Sequence, residues 1–337
     1  MFKKSLYILL LVAMPFAIGI LSICTGRYPV PPRAVFGALW QWISANPSSS
    51  VTVEEMIIIT GIRLPRTVMG AFVGAALAAS GTAFQGIFRN PLVSSGILGV
   101  SSGASLGAAI SILVFSSFVM TPLFAFTFGL LAVLLSYMVG KIHNTTTAVT
   151  LVLGGTIISS IFSSLLALVK YIADPLNQLP AITFWTMGSL ASTVYANVRF
   201  AVIPIIVGIA ALLLNSWNIN ILSMGDNEAG TLGLNVGAAK LMVILGATLA
   251  TAGAVCVSGT VGWVGLIVPH IARMFTGNDN RKLMPVSISM GACFLMIIDI
   301  LCRVITNAEI PLGIMTSIIG GPFFIYLIKK KKGHGWV

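Results

Sequence analysis

Charged side chains are scarce in this sequence. Its 337 residues include 19 Lys and Arg but only 8 Asp and Glu, together 8% of the chain, whereas soluble domains carry about 25% charged residues. So few charges cannot cover a water-facing surface of this size. Apolar residues make up 57% of the sequence, and the mean hydropathy is +1.01. A water-soluble fold is therefore excluded, and most of the surface must face hydrocarbon.

The sequence also lacks the usual signs of nucleotide binding and catalysis. It has no G-x-x-x-x-G-K-[ST] loop, so this chain does not bind ATP by that device. The four cysteines stand singly, without CxxC spacing, and indicate neither a disulfide framework nor a metal site. His270 has no second ligand at a suitable spacing, so we expect a structural role near the cytoplasmic face. We expect no catalytic residue, metal or cofactor here, and no enzyme activity.

The basic residues are distributed as in a membrane protein. The net charge is +11, but Lys and Arg fall between long apolar runs and do not line one polar face, which excludes a nucleic-acid partner. Cytoplasmic loops collect basic residues. With both termini in the cytoplasm, the larger share of Lys and Arg lies inside, including the terminal run 329–332.

Ten apolar stretches predict an all-α membrane protein of about ten transmembrane helices, forming one transmembrane domain over residues 1–337. Helices are favoured because the stretches are long and continuously apolar, whereas barrel strands are short and alternating. The eighth, with Gly262 and Gly265, is expected to be short or broken. The stretches are Leu6–Cys24, Thr67–Phe84, Ile97–Phe118, Leu123–Val139, Ala148–Val169, Phe200–Leu214, Leu241–Val257, Val261–Phe275, Met284–Leu301 and Pro311–Ile328.

An internal similarity links the second and seventh stretches. Residues 74–81 and 246–253 both read GAxLAxxG. An offset of five helices would make the copies antiparallel, which is typical of transporters built from inverted repeats. Shared Gly and Ala composition is the alternative explanation.

Asp299 is the one acidic residue within an apolar stretch, and Arg303 follows four residues later on the same helical face. A local ion pair near the outer end is the expected arrangement. A proton-coupled secondary transporter would need an unpaired carboxylate in the membrane, so this alternative is disfavoured. A multipass membrane enzyme is disfavoured because His, Cys and acids do not cluster.

Two further segments could carry function. Residues 222–234 contain Asp226 and Glu228 at the start of a short helical pattern that Gly233 could end. Such a helix is either a docking element or a connector. The serine pairs 159/163 and 160/164 form a mildly polar stripe that could line a path or pack against a neighbouring helix.

A series of motifs resembles the FecCD/BtuC family of ABC importer permeases over nearly the whole chain. Only the first 50 residues lack a distinctive match. The motifs are GIRLPR at 61–66, GTAFQGIFRNPL at 81–92, LGVSSGA at 98–104, GWVGLIVPHIAR at 262–273, EIPLG at 309–313 and GGPFF at 320–324.

The resemblance implies a type II ABC importer fold in the bacterial inner membrane. Two permeases, here a second copy of this chain, pair around a central path, and two ATPase subunits bind ATP and Mg²⁺ in the cytoplasm. A periplasmic or lipid-anchored protein delivers a ferric siderophore, haem or cobalamin. Some members import molybdate or tungstate instead.

The resemblance also implies roles for residues. Outer arginines that meet acids of the binding protein correspond to Arg63, Arg66 and Arg303, although lipid headgroup anchoring is an alternative for the first two. The coupling element that meets the ATPase corresponds to residues 222–234. Its candidate contacts are Leu222, Gly225, Asp226, Glu228, Ala229, Leu232 and Gly233. The inner gate corresponds by position to residues 145–147 (Thr145, Thr146 and Thr147), with Ser160 as a candidate path residue.

Overall fold

The protein is almost entirely helical in the computed structural model, which describes residues 2–44, 51–115, 119–142 and 145–330. Its helices are α1 (Phe2–Cys24), α2 (Pro32–Ser44), α3 (Val53–Met56), a π-helix (Ile57–Arg63), α4 (Leu64–Ile87), α5 (Val100–Val114), α6 (Met120–Gly140), α7 (Ala148–Ile172), α8 (Gln178–Met187), α9 (Tyr195–Leu214), α10 (Ser216–Leu222), α11 (Asp226–Thr231), α12 (Val236–Ser258), α13 (Val264–Thr276), α14 (Asn280–Val304) and α15 (Leu312–Lys330). Between α6 and α7, β1 (Lys141–Ile142) pairs antiparallel with β2 (Thr145–Thr146).

The helices match the predicted multipass membrane protein. Among the described residues, six helices are long and apolar enough to cross a membrane, and four shorter helices are also apolar. Each of the ten predicted stretches falls on one of these helices. The number of crossings and the cytoplasmic termini stay predictions. Phe118, Lys331 and Lys332, which those predictions used, lie outside the described residues.

The predicted start of the second span, at Thr67, is wrong. A continuous helix runs from Val53 to Ile87. It begins with a capping box in which the Thr52 hydroxyl accepts from the Glu55 N–H and the Glu55 carboxylate accepts from the Thr52 N–H. The π-helix ends just before Pro65, whose ring and missing N–H would disturb an α-helix at this point. Polar residues hid this extension from hydropathy.

The eighth predicted span is short, as expected. α13 begins at Val264 and not at Val261, because Gly262 and Trp263 stay outside the helix and Trp263 has a φ of +68°. Its start packs against the central helix: a Cβ on Gly81 of α4 would lie 1.9 Å from the Gly265 oxygen. Two helix backbones therefore touch directly at this level.

α4 is the centre of the bundle. It packs against α9, α12, α13 and α14, and most of its length is buried. A second close approach joins it to α14, where a Cβ on Gly74 would lie 2.1 Å from the Gly291 oxygen. Small residues thus bring the helices together where side chains would hold them apart.

The packing partners of α4 and α12 support the predicted internal repeat. α4, α5 and α6 correspond to stretches two to four, and α12, α13 and α14 to stretches seven to nine. α4 packs against α13 and α14, and α12 packs against α5 and α6. Each of the two helices that carry the shared motif therefore packs against the two helices that follow the other one. Shared composition alone does not explain this symmetry.

Candidate functional site

Five charged residues meet at one end of the bundle and are called the arginine cluster: Arg63, Arg66, Asp299, Arg303 and Glu309. Arg66 is at its centre. Its Nε and Nη2 donate to Asp299 at 2.8–3.2 Å, and its Nη1 lies 2.9 Å from Glu309. Asp299 is 1% exposed. The cluster therefore joins α4, α14 and the segment before α15 by charge-assisted bonds in a buried setting.

The other two arginines tie α1 to the same cluster. Arg303 Nε lies 3.1 Å from Asp299, and its Nη2 donates to the Ser22 hydroxyl at 2.8 Å. Arg63 donates from Nη1 to the carbonyls of Ile23 and Cys24. The predicted local pair between Asp299 and Arg303 is confirmed. Its extension to α1 and α4 gives the cluster a structural role.

The docking role of Arg63, Arg66 and Arg303 stays a prediction. All three are at most 6% exposed and bonded within the chain, so docking would require some of these bonds to open. Glu309, with a side chain 28% exposed, is the most accessible member of the cluster. Sequence reasoning missed the pairing of Arg66 with Asp299. The available signal was that a buried arginine beside an apolar span needs an acidic partner.

The predicted coupling segment, residues 222–234, connects α10 to α12. It contains the expected short helix, α11, whose first turn holds Asp226 and Glu228. Leu222 and Ala229 are buried and attach the segment to the core, whereas Leu232 is 61% exposed. The coupling role itself stays a prediction.

Two glycines give the segment its shape. Gly225 and Gly233 have φ values of +135° and +82°, which other residues rarely adopt. Gly225 precedes α11, and Gly233 follows it, as the sequence predicts. The segment is thus a turn, one short helix and a second turn, with both turns fixed by backbone geometry.

Lys240, near the start of α12, connects the coupling segment to the predicted gate. Its Nζ lies 2.6 Å from Asp226 and donates to the carbonyl oxygen of Thr146 at 2.8 Å. Lys240 is 2% exposed. The sequence alone does not indicate this contact, because Asp226 and Thr146 lie 14 and 94 positions from Lys240.

The predicted gate residues lie at the start of α7. Thr145 and Thr146 form β2. Thr147 caps α7, its hydroxyl accepting from the N–H of Thr150 at 3.2 Å. Ser160 lies further along α7 on an exposed face. Thr145, Thr146 and Thr147 therefore lie next to one another just before α7, and Ser160 lies within it. Their roles as gate and path residues stay predictions.

Gln85 and Arg273 form a partly buried contact that sequence reasoning missed. Arg273 Nη1 donates to the Gln85 side-chain oxygen. Gln85 Nε2 donates to the carbonyls of Val93 and Gly265 at 3.2 Å. Both residues belong to the motifs 81–92 and 262–273, so those motifs meet in space. His270, predicted to be structural, is buried on the same helix.

Several aromatic residues lie in the connecting segments 26–55 and 170–197, and their side chains take different positions. Trp42 of α2 stacks on Tyr195 of α9, with ring centroids 6.3 Å apart. Trp40 is 69% exposed, whereas Trp185 packs against the core. Anchoring therefore fits Trp40 best, because an exposed indole suits the membrane interface. Across the described part of the chain, no group of three His, Cys, Asp or Glu could hold a metal ion.

Comparisons with known proteins agree with this architecture. The model of the FecCD transport family matches residues 10–330. The molybdate import system permease protein MolB of Haemophilus influenzae is 36% identical over 94% of this chain and 93% of its own. The hemin transport system permease protein HmuU of Yersinia pestis is 37% identical over 80% and 83%.

A solved structure has the same fold. It is an ABC transporter described as being of the metal-chelate type, in an inward-facing conformation, and it is 34% identical to this chain. The TM-score is 0.84, and the match covers 97% of this chain and 99% of that one. The resemblance carried by the sequence motifs is thereby confirmed. The chain belongs to the FecCD transport family, and it is a multipass membrane permease of the ABC importer type.

Proposed function

We propose that this permease forms, with a second copy of itself, the path by which a metal chelate crosses the bacterial inner membrane. The observation that carries the proposal is the exposed face of α7. Thr156, Ser160 and Ser164 lie on it among apolar residues. α7 has no charged residue before Lys170. A mildly polar, uncharged face can pass a bulky chelate without holding it.

The energy would come from two partner ATPases that bind ATP and Mg²⁺ and contact residues 222–234. This fits the missing P-loop in the sequence. It also fits the coupling segment, which presents Glu228 and Leu232 outward and is fixed to the core through Leu222 and Ala229. An exposed apolar side chain beside acids is a suitable docking surface for a soluble subunit.

Transport would proceed by alternating access, and the surroundings of α8 support this. A cavity of about 470 Å³ adjoins α8 and is lined by Phe184, Trp185 and the end of α12. α8 ends at Met187, and the next residue, Gly188, has a φ of +76°. Space beside a short helix with a glycine at its end allows the helix to tilt.

A chelate is favoured over an oxyanion by the charges of the structure. The buried arginines of the arginine cluster are all bonded within the chain, so they offer no free cation to an anionic cargo. The similarity to a molybdate permease keeps an oxyanion as the second candidate. The two candidates differ in the labelled compound that the permease should transport.

The substrate class is tested in vesicles that contain the permease, its ATPase and its binding protein. Ferric siderophore, haemin, cyanocobalamin and molybdate are each offered as labelled probes. We expect ATP-dependent uptake of one chelate. Uptake of molybdate alone would overturn the chelate assignment and leave the importer assignment intact.

The path is tested at Ser160. Ser160→Asp places a charge on the exposed face of α7 and should block uptake, whereas Ser160→Ala should transport normally. Basal ATP hydrolysis should be unchanged in both. Full uptake by Ser160→Asp would show that the cargo does not pass this face.

The coupling role is tested at Gly230, the second-last residue of α11. A Cβ there would meet nothing within 4 Å, so Gly230→Ala should be tolerated. Gly230→Pro removes a donor and should disrupt the helix at a cost of about 3 kcal/mol. The Pro variant should insert normally but lose ATPase binding. Normal coupled transport by that variant would refute the role.

The docking role is tested without reversing buried charges, because reversal would also break the arginine cluster. Arg66→Lys keeps the cation but loses the bidentate geometry toward carboxylates, and Arg33→Gln removes an exposed cation of α2. If the binding protein docks on the arginine cluster, its affinity should fall for Arg66→Lys and not for Arg33→Gln. The reverse order would move the docking surface to α2.

A further inference from the structure

Lys240 is a buried cation that the functions proposed above do not yet use. It is 2% exposed, and its Nζ makes two contacts, with the carboxylate of Asp226 and the backbone carbonyl of Thr146. Asp226 begins α11, and Thr146 directly precedes the cap of α7. One ammonium group therefore holds the coupling segment and the start of α7 at the same point.

The contact reaches both helices that flank the β1–β2 ladder. Thr146 pairs with Lys141 in that ladder. Lys141 directly follows the last residue of α6, and Thr147 directly precedes α7. A displacement of Thr146 is therefore passed along short, ordered backbone to the ends of α6 and α7. Lys240 itself belongs to α12, so α6, α7 and α12 are connected through regular secondary structure.

The two side chains of this contact differ in their exposure to solvent, which gives the contact a direction. The Lys240 side chain is 3% exposed and that of Asp226 is 42% exposed. The lysine is therefore the buried, fixed partner, and the aspartate is the partner that faces the solvent. A subunit that moved α11 would pull on Asp226 first. Lys240 would then carry the displacement to the Thr146 carbonyl.

We propose that Lys240 is a positioning residue that transmits movement of the coupling segment to the start of α7. The proposal rests on the proposed docking of an ATPase at residues 222–234. It adds a defined connection between that docking surface and the exposed face of α7, the part of the chain that the cargo would meet.

The first test measures coupling in reconstituted vesicles, with haemin and molybdate as transport probes. Lys240→Met keeps the length of the side chain and removes the ammonium, and it leaves Asp226 in contact with water. We expect basal ATP hydrolysis to persist while the probe moved per ATP falls fivefold or more, the range typical of coupling between sites. Lys240→Arg keeps a cation and should retain more coupling. Lys170→Met, the same change at the far end of α7, should behave as the native chain.

The second test measures the connection directly, without an ATPase. Spin labels are placed on Met224, beside α11, and Val149, in the first turn of α7, which are 60% and 67% exposed. The native chain should give one narrow distance between the labels. Lys240→Met and Asp226→Asn should both broaden it. The Asp226 variant keeps the test valid if Lys240→Met fails to insert.

The outcomes separate this proposal from the proposed function. Native coupling and a narrow label distance in both variants would overturn the role of Lys240, even if Gly230→Pro abolishes ATPase binding. A broadened distance together with normal transport by Gly230→Pro would instead show that the connection exists but that the ATPase does not act through residues 222–234.

Discussion

Asp299 is the residue on which the arginine cluster depends most. Its carboxylate accepts three bonds from Arg66 at 2.8–3.2 Å and lies 3.1 Å from Arg303 Nε. Asp299→Asn keeps the volume of the side chain but leaves two buried guanidinium groups with only Glu309 as a counter-charge. Removing one partner of a buried ion pair costs about 3–5 kcal/mol. That corresponds to a change of roughly 100-fold or more in the unfolding equilibrium.

Glu309→Gln is the matched control for this prediction. Glu309 also contacts Arg66, but its side chain is 28% exposed, so solvent screens the loss and we expect about 1 kcal/mol or less. The assay is unfolding in mixed micelles, followed by tryptophan fluorescence, with both variants measured beside the native chain. A loss for Asp299→Asn no larger than that for Glu309→Gln would refute the view that the buried carboxylate holds α1, α4 and α14 together.

Two more predictions concern helix packing and a helix cap. Gly74→Ala should lower thermal stability in detergent, because the added Cβ would collide with the Gly291 backbone of α14. The control Gly237→Ala, at an exposed position of α12, should be neutral or slightly stabilising. Equal melting temperatures of the two variants would contradict the close approach of α4 and α14. The pKa of Asp279, the cap of α14, is lowered chiefly by the hydrogen bond from Asn220. Its carboxylate therefore stabilises the fold above the ordinary aspartate pKa of about 4, and the advantage of the native chain over Asp279→Asn should disappear as the pH falls through the lowered pKa.

Hydropathy located the apolar helices but not all of their ends. The ten apolar stretches fall on helices because a continuous apolar run has one stable arrangement in lipid. The helix that contains Arg63 and Arg66 was placed too late, since hydropathy does not register the capping box at Thr52 or the π-helix before Pro65. Those features depend on hydrogen bonds and not on apolar character.

The candidate sites show the same limit. Asp299 and Arg303 are four residues apart on one helix, so their pair could be predicted. The contact between Arg66 and Asp299 and that between Lys240 and Thr146 depend on which helices are neighbours. A single sequence does not state helix neighbours. It does show that Arg66 and Lys240 each directly precede an apolar stretch. A charge that is buried at such a position needs a partner, and this rule would have directed attention to both residues.

The contact between Arg66 and Asp299 also has a consequence for the order of membrane insertion. The two residues are 233 positions apart, and chains are synthesised at about 5–20 residues per second, so Arg66 waits roughly 10–50 s for its partner. During this time α4 lies in the membrane with the Arg66 cation, near its N-terminal end, lacking the Asp299 carboxylate. The insertion of α14 closes this interval. A nascent chain interrupted before α14 would lack Asp299 and would keep this cation without its partner.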